Sequence, residues 1–450
     1  MIALRRLVRA SLSPRPSCLS LACQKYVKEF ALNVSVQGRE EGTDVSDVVE
    51  DTSDSGKTRR TRKLISTGRR KKSDALYAED NGMANGTEES IQGLVQKLKL
   101  LKKGSKGRRT QYLMDRSIAE TLVTYLKRGL GEEDILVDTS PGLGVLTGIL
   151  LAETSNSVVA YEPNNKLKSN LVASLLPQYA PRLQIPTQDF HKFYGYYIVS
   201  QREPENTVLH DFLSPMLRRD RNVYSPVKIL GVVYDLRFVK RLIYSFTFQC
   251  CLFENISPDL YLFLPHKLYT QVHGGPNHAY KSISLIFQYY FDMETLHVVS
   301  KEGFYPIYTK TTKREEEDEG IYLVRISPKK DFFDKVPRKE LESFFFFIYT
   351  MSRLKRTDSL IVGMERWIPD CGPEIIKHGI HVFARPRELT TEELFLAYKI
   401  FISLPSYPES VFHYQRQQFI ARVAEKTDVE MEEKAPDENL DSDDDAFLEA

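Results

Sequence analysis

The feature that most constrains the fold is an apolar run that ends in an acid and is followed at once by a glycine turn and a helix. Ile135–Asp138 has the composition of a buried strand, Thr-Ser-Pro-Gly-Leu-Gly follows at 139–144, and residues 145–152 have helical periodicity. Gly142 and Gly144 permit a tight turn and a close approach of backbone to a ligand. A plain strand-to-helix connection has the same composition, so the turn alone leaves both interpretations open.

Two more carboxylates follow strand-like runs. Residues 158–162 end in Glu162, and Asp189 follows the run at 183–186. An acid at the end of the second strand is the position where a Rossmann-type fold holds a ribose hydroxyl. Because ligands of open parallel sheets bind at the carboxyl ends of the strands, we expect Asp138, Glu162 and Asp189 to share one pocket.

The alternation of strands and helices predicts a Rossmann-like α/β domain with a parallel-rich sheet over residues 108–333. Further strand-like runs lie at 227–233, 260–265, 296–299 and 321–326. A helix is expected at 115–128, before the first of these strands.

The pattern past residue 334 is helical and predicts a small C-terminal domain over residues 334–424. Residues 338–351 are rich in Phe, and the four phenylalanines at 344–347 are interpreted as core rather than as a base-stacking platform. Thr390 and Glu393 form a capping-box pattern that opens a helix ending before Pro405.

The two ends of the chain carry opposite charge. Residues 1–28 contain six basic residues and no acid, which is typical of a mitochondrial transit peptide. The apolar residues there are interspersed with charges, against a secretory signal, and no run of 18 apolar residues predicts a membrane span. Residues 425–450 are dominated by Asp and Glu and are predicted to be a disordered acidic tail.

Residues 29–107 are predicted to be a disordered linker with a basic arm. The arm at 57–72 holds nine Lys or Arg and no acid, which suits either phosphate binding or a solvated linker. At 90–103 the apolar residues recur at helical spacing with lysines opposite, which predicts a basic amphipathic helix.

The five cysteines show no CxxC spacing, which indicates a reducing compartment without a disulfide scaffold. The histidines are scattered, and no metal site is expected.

Taken in order and spacing, these motifs resemble the ribosomal RNA adenine N6,N6-dimethyltransferase family over residues 108–404. Four segments carry the resemblance: RRTQYLMD at 108–115, VDTSPGLGVLT at 137–147, AYEP at 160–163 and QDFHKF at 188–193. The resemblance implies an S-adenosylmethionine-dependent methyltransferase fold. It assigns the methionine part of the cofactor to the loop of Asp138, Gly142 and Gly144, the ribose to Glu162 and the adenine amino group to Asp189.

Two departures from the family put methylation in doubt. The family's catalytic loop contains Asn-Leu-Pro-Tyr, whereas the aligned stretch here runs from Leu230 to Asp235 and includes Gly231, Val232, Val233 and Tyr234, with Val232 in place of the amide. A valine side chain accepts no hydrogen bond, so either Tyr234 or Asp235 would have to hold the target amine. Ser140 stands where the glycine loop usually has its first Gly. We therefore assign no catalytic residue and expect weak or absent methylation.

The same loss of the catalytic loop marks a mitochondrial branch of the family that serves mitochondrial RNA polymerase as an initiation factor. Residues 194–226 resemble a polar insert of that branch. The resemblance implies a protein of the mitochondrial matrix, in the nucleoid, whose partners are mitochondrial RNA polymerase and promoter DNA.

The nucleic-acid contacts expected for such a factor are basic and aromatic. Arg108, Arg109 and Tyr112 would bind the melted strand, with Tyr112 stacking on an unpaired base. Further phosphate contacts are suggested for Arg218, Arg219, Arg221, Lys240 and Arg241. The alternatives are an active dimethyltransferase of the mitochondrial small-subunit ribosomal RNA and a methyltransferase of another substrate.

Overall fold

The computed structural model describes residues 91–102, 110–217, 225–274, 282–306, 320–355 and 357–432. Several sequence predictions lie outside the described residues: the transit peptide, the basic arm at 57–72, the tail past 432, Arg108, Arg109, Arg218, Arg219 and Arg221.

The strands of the described residues are β1 Tyr112–Leu113, β2 Ile135–Asp138, β3 Ser157–Ala160, β4 Leu183–Gln184, β5 Ser225–Val232, β6 Ile256–Pro265, β7 Phe291–Val299, β8 Phe304–Tyr305 and β9 Ile321–Pro328. Seven of them form a mixed sheet in the order β4-β3-β2-β5-β6-β9-β7, and β1 and β8 form a short antiparallel ladder. Strands β4, β3, β2, β5 and β6 are parallel to one another, and β9 pairs antiparallel with both β6 and β7. The Rossmann-like α/β prediction is confirmed.

The α-helices connect and cover these strands, and they extend the chain beyond them. They are α1 Ile91–Lys102, α2 Arg116–Lys127, α3 Val145–Glu153, α4 Asn165–Tyr179, α5 Phe193–Arg202, α6 Val208–Leu213, α7 Leu236–Thr247, α8 His266–His273, α9 Ser282–Tyr290, α10 Phe332–Lys335, α11 Leu341–Ser352, α12 Leu360–Glu365, α13 Gly372–Lys377, α14 Thr391–Ser403 and α15 Phe412–Glu432. None of these described helices is long and apolar enough to cross a membrane.

Side-chain caps start several of these helices where the sequence indicates. The Asp115 carboxylate accepts the backbone N–H groups of Ser117 and Ile118 at the start of α2. At α14 the Thr390 hydroxyl accepts the N–H of Glu393, whose carboxylate accepts the N–H of Thr390 in return. The predicted capping box is therefore present, and α15 continues past residue 425, where the tail was predicted to begin.

The C-terminal helices share one hydrophobic core with the sheet. That core joins Ile229 of β5 to Phe344 of α11 and Phe401 of α14. All four phenylalanines at 344–347 are buried, which confirms their interpretation as core.

The segment at 194–226 departs from the predicted polar insert. Its described residues are 194–217 and 225–226; the first stretch contains α6 and most of α5, and Tyr194, Phe212 and Met216 are buried in the same core. The expectation of a polar insert is wrong for these residues because aromatic side chains at helical spacing bury themselves against α7 and the strands.

Removal of the Phe344 ring tests the shared core. Phe344 is fully buried against Phe332, Tyr398 and Phe395, so Phe344→Ala is expected to lower the free energy of unfolding by about 3–5 kcal/mol. The matched control is Phe383→Ala, whose ring is 74% exposed and whose loss is expected to change stability by less than about 0.5 kcal/mol. Urea denaturation measures both, and equal losses would contradict a core that spans sheet and helices.

Candidate functional site

The candidate site lies at the carboxyl edge of the parallel strands. Asp138 is the last residue of β2, and Glu162 follows β3 by two residues. The two strands pair in register, Asp138 opposite Ala160, so the carboxylates leave the sheet at neighbouring points. Asp189 comes after β4, the next strand along the edge. The three acids predicted to meet are therefore brought to one edge.

The glycine turn wraps around the Glu162 carboxylate. Gly142 has φ 57° and Gly144 has φ 88°, both in the left-handed region that favours glycine. The Gly142 N–H donates to one Glu162 oxygen at 3.2 Å, and the Asn164 N–H donates to the other at 2.9 Å. Glu162 is only 1% exposed, so these bonds hold a buried carboxylate beside the turn.

The Asp138 carboxylate, like that of Glu162, is held by hydrogen bonds. It accepts the Thr147 hydroxyl at 2.7 Å and the Ser140 N–H at 3.1 Å. Full burial raises the pKa of Asp138 from 3.8 to about 6, although both hydrogen bonds act in the opposite direction. Thr147 lies in the first turn of α3. Sequence patterns did not single it out as a site residue, although it ends the motif VDTSPGLGVLT at 137–147.

Asp189 orders the loop that follows β4. Its carboxylate accepts the His191 N–H at 3.0 Å and caps a short 3-10 turn, and its own N–H donates to the Tyr196 hydroxyl at 2.9 Å. These bonds orient the loop that follows β4.

The altered loop lies at the end of β5, next to β2. Gly231 has φ 149°, and a Cβ there would come 2.0 Å from the Thr139 hydroxyl oxygen, so the position tolerates no side chain. Val232 is 1% exposed and lines a small cleft at this edge of the sheet. The cleft is lined by Leu113, Asp138, Ser140, Pro141, Leu146, Gly231, Val232 and Phe263.

Two hydroxyls at or directly beside this cleft have hydrogen-bonding capacity to spare. The hydroxyls of Thr139 and Ser140 are buried and have no hydrogen-bond partner among the described residues, and Ser140 lines the cleft. A buried hydroxyl without a partner costs free energy, so both are candidate contacts for a polar ligand. Val232, Leu146 and Phe263 make another part of the lining apolar.

Tyr112 is not the exposed stacking platform that the sequence predicted. It is 3% exposed and belongs to β1, where it pairs with Tyr305 of β8. A Cβ added to Gly142 would come 2.5 Å from its ring, so the ring lies directly on the glycine turn. The prediction assumed exposure, whereas the β1–β8 ladder turns the ring inward.

Arg241 also departs from its predicted contact with phosphate. Its guanidinium is buried and donates to the carbonyl oxygen of His191 at 2.7 Å. It therefore ties α7 to the loop that follows Asp189, while Lys240 beside it remains partly exposed.

The elevated pKa of Asp138 predicts a pH dependence of stability. Since the unfolded chain ionises this group at lower pH, wild-type stability should fall between pH 4 and 7, by about 3 kcal/mol at most for this residue. Asp138→Asn should remove that fall, and the exposed Glu205→Gln should preserve it. Chemical denaturation across this range measures the difference, and parallel curves for wild type and Asp138→Asn would refute the assignment.

This chain is similar to an insect protein that is named as mitochondrial. "Dimethyladenosine transferase 2, mitochondrial" of Drosophila melanogaster is 24% identical over 296 residues, which are 62% of this chain and 64% of that protein. The chain thus spans less than two thirds of that relative's length.

Two solved structures align with this chain over almost their whole length. The 23S rRNA methyltransferase ErmE aligns over 64% of this chain and 99% of its own, with 14% identity and a TM-score of 0.43. A dimethyladenosine transferase from Plasmodium falciparum aligns over 64% and 96%, with 12% identity and a TM-score of 0.44.

The sequence profile described as "Ribosomal RNA adenine dimethylase" matches residues 102–401, which include the whole glycine turn, the three acids and the altered loop. The chain belongs to the ribosomal RNA adenine dimethylase family.

Proposed function

We propose that this chain is a mitochondrial protein that assists mitochondrial RNA polymerase in opening promoter DNA and that methylates adenine weakly or not at all. Mitochondrial location is supported by the basic, acid-free residues 1–28 and by the name of the Drosophila relative. The polymerase and promoter DNA follow from the resemblance to the mitochondrial branch of the family, and ribosomal RNA is the partner in the alternative function.

The observation that carries the proposal is the apolar side chain of Val232 on the wall of the cleft. Transfer of a methyl group to an adenine amine needs an acceptor that holds the amine hydrogens while the nitrogen is aligned with the donor. Val232 offers none, and its neighbours Leu146 and Phe263 are apolar as well. Loss of one oriented hydrogen bond at a reacting centre costs about 3–4 kcal/mol, or two to three orders of magnitude in rate.

Tyr234 and Asp235 are the polar side chains beside the altered position, and they are not equally able to replace the missing amide. The Asp235 carboxylate is already committed, because it caps α7 through the Arg237 N–H and pairs with the Arg237 side chain at 2.6 Å. Tyr234 is partly exposed beside His191, with ring centroids 5.9 Å apart. Tyr234 is therefore the one of these two that an incoming base would meet first.

The fit of S-adenosylmethionine to this site is incomplete. The acids, the glycine turn and the unpartnered hydroxyls of Thr139 and Ser140 are the kind of groups that hold such a ligand. However, the buried Tyr112 ring lies against Gly142, and the cleft does not reach Glu162. Retention of the donor groups without the space between them agrees with a family fold that is used for binding rather than for methylation.

The described surface next to the site carries cations for a nucleic-acid backbone. Lys97 and Lys99 are exposed on α1, and Lys166 is exposed on α4, against which α1 packs. Together with Arg108 and Arg109, which remain predictions, they would attract phosphates.

The proposed function is tested by run-off transcription with the cognate mitochondrial RNA polymerase on duplex and pre-melted promoters, with adenine methylation assayed in parallel. We expect initiation on duplex DNA to depend on this chain, a smaller dependence on pre-melted DNA, and no dimethyladenosine. Formation of dimethyladenosine without any effect on transcription would establish the alternative, an active ribosomal RNA dimethyltransferase.

Charge reversal on α1 tests the nucleic-acid surface separately. Lys97→Glu with Lys99→Glu is expected to weaken binding of single-stranded DNA by roughly tenfold and to reduce the salt dependence of binding by about two phosphate contacts. The control is Lys377→Glu on α13, an exposed lysine already paired with Glu374 at 2.8 Å. Fluorescence anisotropy at several salt concentrations measures both, and an equal loss in the control would contradict a local surface.

A further inference from the structure

Tyr112 lies where a ligand of this edge would have to pass between the glycine turn and the acids. Its ring is in direct contact with Gly142, with 2.5 Å between the ring and the place of a Cβ there. Gly142 itself donates its N–H to Glu162. The aromatic ring therefore covers the same turn whose backbone orients the buried carboxylate.

The Tyr112 phenol is buried and is influenced by the charges of the site acids. Burial raises the pKa of this phenol far above its ordinary value, and the charges of Glu162 and Asp189 raise it further, as does Tyr234. Only a hydrogen bond with the Thr110 side chain acts in the opposite direction. The side chain is thus a neutral phenol, buried against the glycine turn.

The space that remains open is on the far side of the turn. The cleft is bounded by Asp138, Ser140 and the β5 end, and neither Glu162 nor Asp189 is among its lining residues. A nucleoside needs the region beside the second-strand acid for its ribose hydroxyls. In this conformation the Glu162 carboxylate is only 1% exposed and is bonded to the N–H groups of Gly142 and Asn164, so it is closed off from solvent.

Helix α1 covers the ring from outside. Leu98 of α1 is fully buried in a cluster with Tyr112, Met114 and Leu167, against which Leu94 and Val95 of the same helix also pack. Lys99 lies over the ring of Tyr305, the β8 partner of Tyr112, at 5.5 Å. Because these contacts share one cluster, an outward swing of Tyr112 has to disturb α1 as well.

We infer that the Tyr112 side chain occupies the nucleoside half of the pocket and that α1 holds it there, so that S-adenosylmethionine and related nucleosides are excluded until both move. The inference goes beyond the proposed function and does not rest on it, because ligand binding is measured without polymerase or DNA. It makes Tyr112 a gating residue rather than a nucleic-acid contact.

The experiment is calorimetric titration of the full chain with S-adenosylhomocysteine, which binds such a pocket without transferring a methyl group. Tyr112→Ala is expected to bind the ligand at least about tenfold more tightly than wild type. This is the gain in affinity expected if the closed state of wild type is about ten times as populated as the open state and the substitution removes the closed state. Tyr112→Phe retains the ring and should bind as wild type does, and so should Tyr414→Ala, which removes a ring that is 62% exposed.

Three outcomes would overturn the inference. The first is wild type binding as tightly as Tyr112→Ala, and the second is Tyr112→Phe behaving like Tyr112→Ala. The third is an absence of binding in a Tyr112→Ala protein that unfolds as cooperatively as wild type, since something other than the ring would then exclude the ligand.

A second measurement keeps the inference testable if Tyr112→Ala does not fold. Hydrogen exchange of wild type is compared with and without millimolar S-adenosylhomocysteine. Binding is expected to reduce protection in α1 and β1 together, because the ring and helix must move to admit the ligand. Binding with unchanged or increased protection there would overturn the gate.

Discussion

Parallel pairing of β3, β2 and β5 in register brings the ends of three strands to one edge, and most of the site follows from how that edge satisfies its buried carboxylates. Glu162 and Asp138 are nearly inaccessible to water, so each needs donors from the protein. Backbone N–H groups of the glycine turn and the Thr147 hydroxyl supply them. Those hydrogen bonds in turn fix the course of the turn and the start of α3.

The same edge combines the family's acids and glycines with two side chains that change its surface. The acids and glycines are all present, while Val232 makes part of the cleft lining apolar and the Tyr112 ring packs on the glycine turn. Function therefore depends on what occupies the site rather than on the sheet that positions it.

Local patterns in the sequence predicted the elements well wherever one face of an element determines its burial. The strand ends at Asp138, the capping box at Thr390 and the buried phenylalanines at 344–347 were all accessible in this way. Predictions about exposure failed where burial depends on distant partners. Arg241 was expected at the surface, but the carbonyl group of His191, fifty residues away, binds it inside.

The sequence by itself determined the order of strands and helices, the acids and glycines at the strand ends, and the apolar residue at position 232, because each depends on residue type and short spacing. Only the tertiary structure decided that Tyr112 points inward onto Gly142 and that α1 covers it. The physical reason is that the ladder between β1 and β8 and the cluster around Leu98 join segments far apart in the chain. A strand of two residues is also too short for its periodicity to indicate which side is buried.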